Sequence, residues 1–163
     1  MNRITPLSPP PIDTIGELKQ LYRDAEARAA RLRLLSDSGR ALAQADATTL
    51  DEILAQSANR LAFFLGQARA EVVRAPEGAT GLPLPAPGGS GRSLGTVRME
   101  GLSRLSDIAH DEDREAVRLH LELMALACDR VAREGERARL LTALQEREQR
   151  LEFVVGRLFA AQE

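Results

Sequence analysis

The sequence predicts a helix-dominated α+β protein, in which a small antiparallel sheet lies between two long helices. Each long helix is expected to pair with the same helix of a second chain, which gives a parallel dimeric coiled coil. Three observations support this prediction. The 163-residue chain has no Trp, one Tyr and four Phe, so Leu, Ala and Val supply most of its apolar surface, as is typical of helix–helix interfaces. Apolar residues recur at alternating steps of three and four near both ends. Short β-forming runs between Gly- and Pro-rich turns occupy the middle.

The N-terminal region divides into a leader and a long helix. Residues 1–13 are rich in Pro, and we expect them to form a disordered leader. Heptad spacing over 14–46 predicts the first coiled-coil helix. An amphipathic helix that packs on its own domain is the alternative, because Arg28 and Gly39 interrupt the apolar pattern. The heptad positions are Leu18, Leu21, Ala25, Arg28, Leu32, Leu35, Gly39 and Leu42.

A second helix begins at the motif "TLDE". This motif predicts a capping box, in which the Thr49 hydroxyl accepts from the Glu52 amide while the Glu52 carboxylate reaches back to Thr49. The motif "FFLG" ends the helix near Gly66. One apolar face is expected from Leu50, Ile53, Leu54, Leu61 and Leu65.

The middle of the chain predicts strands in "AEVVRA", "GLPLPAPG" and "RSLGTVRME". Val72 and Val73 are β-formers, and Val97 lies in an alternating run. Pro83 and Pro85 exclude a central position in the sheet, so their segment is either an edge strand or only an extended arm. The Gly-rich segment "PAPGGSGRS" is expected to form a hairpin turn, since it lacks the strand and helix context of a phosphate-binding loop. We expect Val72, Val97, Leu61 and Leu65 to fill the space over the sheet.

A long helix is predicted from the acidic run "DEDREAV", whose charges complement a helix N-terminus, to the end of the chain. Apolar spacing of four and three extends from Val117 through Leu121, Met124, Cys128 and Val131 to Ala138, and resumes from Leu144 to Gln162. Two successive steps of three, from Ala138 through Leu141 to Leu144, form a stammer that overwinds a coiled coil. No capping residue follows, so we expect the helix to continue beyond Glu163.

These elements resemble a GAF domain, a small sensory α/β module of signalling proteins. The resemblance rests on "RLRLLSDSGRALAQADATTLDEILAQSANRLAFFLG", "GLPLPAPGGSGRSLGTVRMEG" and "LSDIAHDEDREAVRLHLELMALACDRVARE". It implies a GAF-like core over 47–112 and an outgoing helix over 113–163. Only about 15 residues separate "EVVRA" from "GRSLG", so the domain is reduced and lacks the segments that would roof a ligand pocket.

The C-terminal segment "LTALQEREQRLEFVVGRLFAAQE" resembles the linker that precedes the dimerisation and phosphoacceptor helix of sensor histidine kinases. This resemblance implies the sensory and signal-transmitting region of a cytoplasmic two-component kinase. The kinase core, its phosphorylated histidine and its contact with a response regulator would all follow residue 163. The alternatives are a stand-alone helical interaction module and a small-molecule-binding GAF receptor.

The candidate reactive residues have structural interpretations that we favour. His110 and His120 are conceivable haem ligands, but one lies near a helix N-cap and the other lies among leucines. Cys128 is either a small hydrophobe or, opposite its symmetry mate, the source of an interchain disulfide. Two carboxylate pairs, Glu146 with Glu148 and Asp111 with Asp113, suit a solvated face or a helix cap. We therefore predict no catalytic site, no metal site and no cofactor, and the sequence identifies no cofactor-binding residues.

Charge and hydropathy restrict the partners. The formal net charge is −2, which gives no general attraction for nucleic acid, and no run approaches the length of a membrane span. We expect a cytoplasmic parallel homodimer. Its predicted interface consists of Leu18, Leu32, Leu35, Leu121, Met124, Leu144, Leu151, Val155 and Leu158.

Overall fold

The structure is a computed structural model that describes residues 8–9, 12–74 and 79–162. The expected leader, residues 1–13, lies mostly outside the described residues. Helices dominate and a small sheet interrupts them, so the predicted α+β class is confirmed. The elements are α1 (Ile12–Gln44), α2 (Leu50–Phe64), β1 (Ala70–Val73), β2 (Leu82–Pro85), β3 (Ser93–Met99), a 3-10 turn (Leu105–Asp107) and α3 (Asp111–Ala160).

The three predicted strands form one antiparallel sheet of order β1-β3-β2. Strand β2 lies at an edge, as its prolines predicted: Leu82 and Leu84 are buried, while Pro83 and Pro85 are exposed. Val97 pairs with Val72 on one side and with Leu82 on the other. Since residues in register share one face of a sheet, these side chains form an apolar row across it.

The capping box predicted at Thr49 is wrong. Thr49 is the N-cap residue of α2, but its side chain makes no capping hydrogen bond to that helix. Instead, the Thr49 hydroxyl accepts from the Asp46 N–H at 3.0 Å. Asp46 Oδ1 in turn accepts from the N–H groups of Thr48 at 2.9 Å and Thr49 at 3.0 Å. The turn before α2 therefore engages the hydroxyl on which the prediction depended.

The end of α2 near Gly66 is confirmed, and its geometry is a Schellman motif. The Gln67 N–H donates to the Ala62 carbonyl at 2.8 Å, and the Gly66 N–H donates to the Phe63 carbonyl at 3.1 Å. Gly66 has a φ of 70°, a left-handed conformation that glycine adopts without steric cost. The motif ends the helix and directs the chain towards β1.

The core lies between the sheet, α2 and the first half of α3. Leu61 and Val97 are completely buried, and Leu65 and Val72 are partly buried against the same cluster, so these residues fill the sheet face as predicted. An open groove of about 520 Å³ remains at the edge, between α2 and β1. Large side chains that are fully buried include Leu54, Leu82, Leu84, Val117, Leu121 and Met124.

Candidate functional site

Helices α1 and α3 lie side by side and run in the same direction. The Arg31 Nε group donates to Asp113 Oδ1 at 2.7 Å, and Ser38 Oγ lies 2.9 Å from His120 Nε2. Both contacts join residues that are 82 positions apart in the sequence. Because the separation is constant along the contact, the two helices are parallel.

The parallel pair leaves a free arm at each end. Residues 15–26 of α1 are all exposed, and so is every described residue from 136 to 162. At about 1.5 Å per residue, the α1 arm is roughly 20 Å long and the α3 arm roughly 40 Å. The α1 arm precedes the region of contact and the α3 arm follows it, so the arms project from opposite ends of the core. None of the described helices is both long enough and apolar enough to cross a membrane.

An ion cluster joins α1 to the first turn of α3. Arg31 contacts Glu112 at 2.6 Å and Asp113 at 2.7 Å, and its side chain is only 18% exposed. The hydrogen bond to Asp113 is the main cause of the raised pKa of Arg31. The sequence indicated correctly that acids begin α3, but it gave no signal that they bind Arg31.

His120 forms a buried polar contact at the centre of the pair. Its side chain is 0% exposed, and burial, aided by the charge of Arg60, lowers its pKa to about 4. The ring is therefore neutral near pH 7. Nδ1 has no hydrogen-bond partner within the described part of the chain. His120 and Ser38 are the buried polar groups that α1 and α3 share, and sequence reasoning missed their contact.

Arg130 satisfies the C-terminal end of α1. Its Nη2 group donates to the Leu42 carbonyl at 3.0 Å and to the Ala45 carbonyl at 2.7 Å. These groups lie where a helix leaves its last carbonyls unpaired, and α1 has no basic residue in its own last turn. A cation from α3 therefore caps α1, which fixes the position of one helix relative to the other.

The remaining candidate residues do not converge on a site. His110 is exposed at the N-cap position of α3, about 15 Å along the helix axis from His120. Glu146 and Glu148 are exposed on the α3 arm, and Asp111 pairs with Arg114 at 2.9 Å. Among the described residues, no group of three or more His, Cys, Asp or Glu could hold a metal ion.

Cys128 lies in the core and not at an interface between chains. Its side chain is 2% exposed, and burial raises the pKa of the thiol. The alternative of an interchain disulfide is wrong, because the sulfur is enclosed by its own chain. The interpretation of Cys128 as a small buried hydrophobe is confirmed.

Part of the predicted dimer interface also belongs to the core. Leu121 and Met124 are 2% and 0% exposed, so these two positions were assigned wrongly. In contrast, Leu144, Leu151, Val155 and Leu158 are 47–62% exposed. On α1, Leu18 and Leu32 are exposed, whereas Leu34, Ser38 and Leu42 pack against the core. The alternative of packing on its own domain thus holds for the second half of α1.

The proposed stammer has a structural explanation. The stripe from Val117 to Val131 faces the core of its own chain. A second stripe on the opposite face of α3 follows four-three spacing from Leu119 to Leu158, with Arg133, Arg137 and Arg147 at three of its positions. Helix α3 is continuous through this region. The two steps of three mark the change from one stripe to the other. We call the exposed set the outer stripe of α3; it consists of Leu119, Leu126, Leu140, Leu144, Leu151, Val154 and Leu158.

The outer stripe of α3 and the exposed leucines of α1 lie on the same side of the molecule. Leu119 follows the core residue Val117 by two positions, and Leu32 precedes the core residue Leu34 by two. Such a step turns an α-helix by about 200°, so each exposed stripe faces away from the core. Because α2 and the sheet cover the inner side of the α1–α3 pair, both stripes occupy its outer side.

Comparisons of the chain with protein-family models, with curated proteins and with solved structures found no match.

Proposed function

We propose that this chain is the sensory and signal-transmitting region of a cytoplasmic two-component histidine kinase. In this proposal a GAF-like core sits on a parallel homodimer, and α3 carries a conformational signal to a kinase core that acts on a response regulator. The observation that carries the proposal is the parallel pair of α1 and α3, whose arms leave the core at opposite ends. Because the two helices pack along their length, a shift or rotation of the α1 arm would move α3 and so change the position of the α3 arm.

Self-association follows from the outer side of this pair. Both stripes are exposed to water in the single chain, and burying one Leu contributes roughly 1.5–3 kcal/mol. A parallel two-fold arrangement would place each stripe against its own copy. Arg133, Arg137 and Arg147 occupy positions within the four-three spacing of α3, so they would weaken the pairing and leave the arm able to change its packing.

Dimerisation is tested by replacing Leu151 and Leu158 together by Arg, which would place four like charges in the paired arms. We expect the dissociation constant, measured by sedimentation equilibrium, to rise by at least about 100-fold. The matched control is Gln149→Arg with Phe153→Arg, which adds the same charge on the opposite face and should leave association nearly unchanged. A monomeric unmodified chain well above micromolar concentration would contradict the dimer.

The direction of pairing is tested by distance measurement. Spin labels attached at Glu152→Cys in a Cys128→Ser background should lie within about 25 Å of each other in a parallel dimer, since two α-helices pack 8–10 Å apart. An antiparallel pairing would move these labels several tens of ångströms apart. Such a result would support the interaction module and contradict a signalling arm.

Signal transmission is tested by fusing the chain to a dimeric histidine kinase core and inserting one to seven residues after Arg147. A coiled-coil arm repeats about every seven residues, so autophosphorylation should vary with the insertion and recover at seven. Activity that does not depend on the insertion would favour the stand-alone interaction module, in which α3 controls no attached domain.

A further inference from the structure

A groove of about 850 Å³ lies between α1 and α2, near the first turn of α3. Its volume is in the range typical of small-molecule sites, about 300–1,000 Å³. It is separate from the sheet face, which core side chains fill, and from the outer side of the α1–α3 pair. Ala27 and Ala30 line it on α1, and their short side chains leave the space between the helices open.

An unpaired cation lies in this groove. Arg60 lines it from α2, and its Nη1 atom is buried without a hydrogen-bond partner among the described residues. Buried donors are nearly always paired in native proteins, because leaving one unpaired is costly. A guanidinium presents two parallel N–H groups that match a carboxylate. Nη1 itself is shielded from solvent, so a bound carboxylate would reach the guanidinium through Nε and Nη2, which are not among the buried unpaired atoms of the described residues.

Apolar surface adjoins the cation. Phe63 and Phe64 follow Arg60 by three and four positions, which places all three side chains on one face of α2, and all three line the groove. Phe63 is 87% exposed, the highest value among the large hydrophobic residues described. Leu34 forms an apolar wall on α1, where it is 5% exposed. The groove thus joins a cation to an uncovered aromatic surface.

The other charges of the lining leave this cation uncompensated. Asp113 is engaged by Arg31 at 2.7 Å. Asp37 and Arg33 also line the groove from α1 and add one charge of each sign; Arg33 Nε donates to the Ala29 carbonyl at 3.4 Å. An acidic ligand group near Arg60 would therefore meet little net repulsion.

We propose that this groove binds a small organic carboxylate with an apolar body. Arg60 holds the carboxylate, and Phe63 and Phe64 contact the apolar part. This assignment is independent of dimerisation and of any attached kinase, because the lining comes from α1, α2 and the start of α3 of a single chain.

The experiment titrates the full chain with 3-phenylpropanoate and follows backbone amide shifts by NMR. We expect saturable shifts centred on Arg60, Phe63 and Ala30. The neutral amide of the same shape should bind at least about tenfold more weakly, because it lacks the charge-assisted hydrogen bonds. Shifts confined to the outer stripe, no saturation at tens of millimolar, or equal binding of acid and amide would overturn the proposal.

Variants separate the charge from the apolar contact. Arg60→Gln should weaken binding of the acid by at least about tenfold and leave binding of the amide unchanged. Arg69→Gln, which removes a cation from the other groove, beside β1, is the matched control and should have no effect. Phe63→Ser alters an exposed side chain, so it tests the site even if Arg60→Gln does not fold; acid binding that withstands Phe63→Ser would overturn the proposal.

Discussion

The two halves of α3 differ in what covers them, although one continuous helix contains both. From Asp111 to Val131 the helix buries nine residues against its own chain. From 136 to 160 every residue is exposed. Leucines recur at steps of three and four in both halves, so spacing alone does not distinguish them. The difference shows that heptad spacing identifies an apolar face but does not identify the surface against which it packs.

The largest contrast between the halves should come from introducing the same charge into each. Met124→Arg places an unpaired cation at a position that is 0% exposed, and we expect the free energy of unfolding to fall by more than about 4 kcal/mol. Leu144→Arg changes a residue that is 62% exposed and should leave core stability nearly unchanged. Urea unfolding followed by circular dichroism compares them. Equal losses would show that the arm is as buried as the core.

The next contrast is the pH dependence that His120 gives to the buried half. Its pKa in the folded chain is about 4, against an ordinary value of 6.5. Between these values the unfolded chain binds a proton that the folded chain does not, so stability falls as the pH decreases through this window. At pH 5 the loss relative to neutral pH should be roughly 2 kcal/mol.

His120→Gln provides the comparison for this pH effect. The variant cannot titrate at this position, so its stability should decline less than that of the unmodified chain between pH 7.5 and 5, when both are measured by urea unfolding. The difference between the two profiles removes the contribution of the carboxylates. Parallel profiles would mean that the imidazole remains accessible to water and that its pKa is near the ordinary value.

Residue type predicted the elements of the fold well. Pro83 and Pro85 identified an edge strand, and the Gly-rich turns and β-branched runs located the sheet. The predicted hydrogen bonds were less reliable where two donors competed for one acceptor. The Thr49 hydroxyl accepts from the Asp46 N–H of the preceding turn and not from the Glu52 N–H of α2. The division of α3 was not predictable, because Leu121 and Leu144 have similar neighbours in the sequence. Their burial depends on where the sheet and α2 end in space.

The contacts between α1 and α3 were not predictable either. Ser38 and His120 are 82 positions apart, and nothing in either local pattern indicates the other. Arg130 resembles any other surface cation of α3, yet it binds the end of α1. The groove around Arg60 depends on the spacing between α1 and α2, which no single segment encodes. Such features arise from tertiary packing and require the fold.

A comparison of Arg130 with Arg133 contrasts a cation that joins α3 to α1 with a cation that lies on the surface of α3. Arg130→Met removes the hydrogen bonds to the Leu42 carbonyl, in the last turn of α1, and to the Ala45 carbonyl, just after it. We expect a loss of about 1–2 kcal/mol, since charged donors satisfy exposed helix ends. Arg133→Met is the control: its side chain is 75% exposed and pairs only with Asp129 at 2.9 Å, so its loss should stay within about 0.5 kcal/mol. Equal losses in urea unfolding would show that the cap contributes no more than a surface ion pair.

The smallest effect concerns Gly135, where the buried half of α3 gives way to the exposed arm. A Cβ added there would meet no heavy atom within 4 Å, and alanine is favoured over glycine inside a helix by about 0.5–1 kcal/mol. Gly135→Ala should therefore slow amide hydrogen exchange in the neighbouring turns of α3 without changing the urea midpoint of the core. Gly95→Ala is the opposite case, because its Cβ would lie 2.9 Å from the Val73 carbonyl oxygen, and it should destabilise the sheet. If Gly135→Ala instead stabilises the core as a whole, the arm and the core unfold as one unit, and α3 does not divide into two independent halves near Gly135.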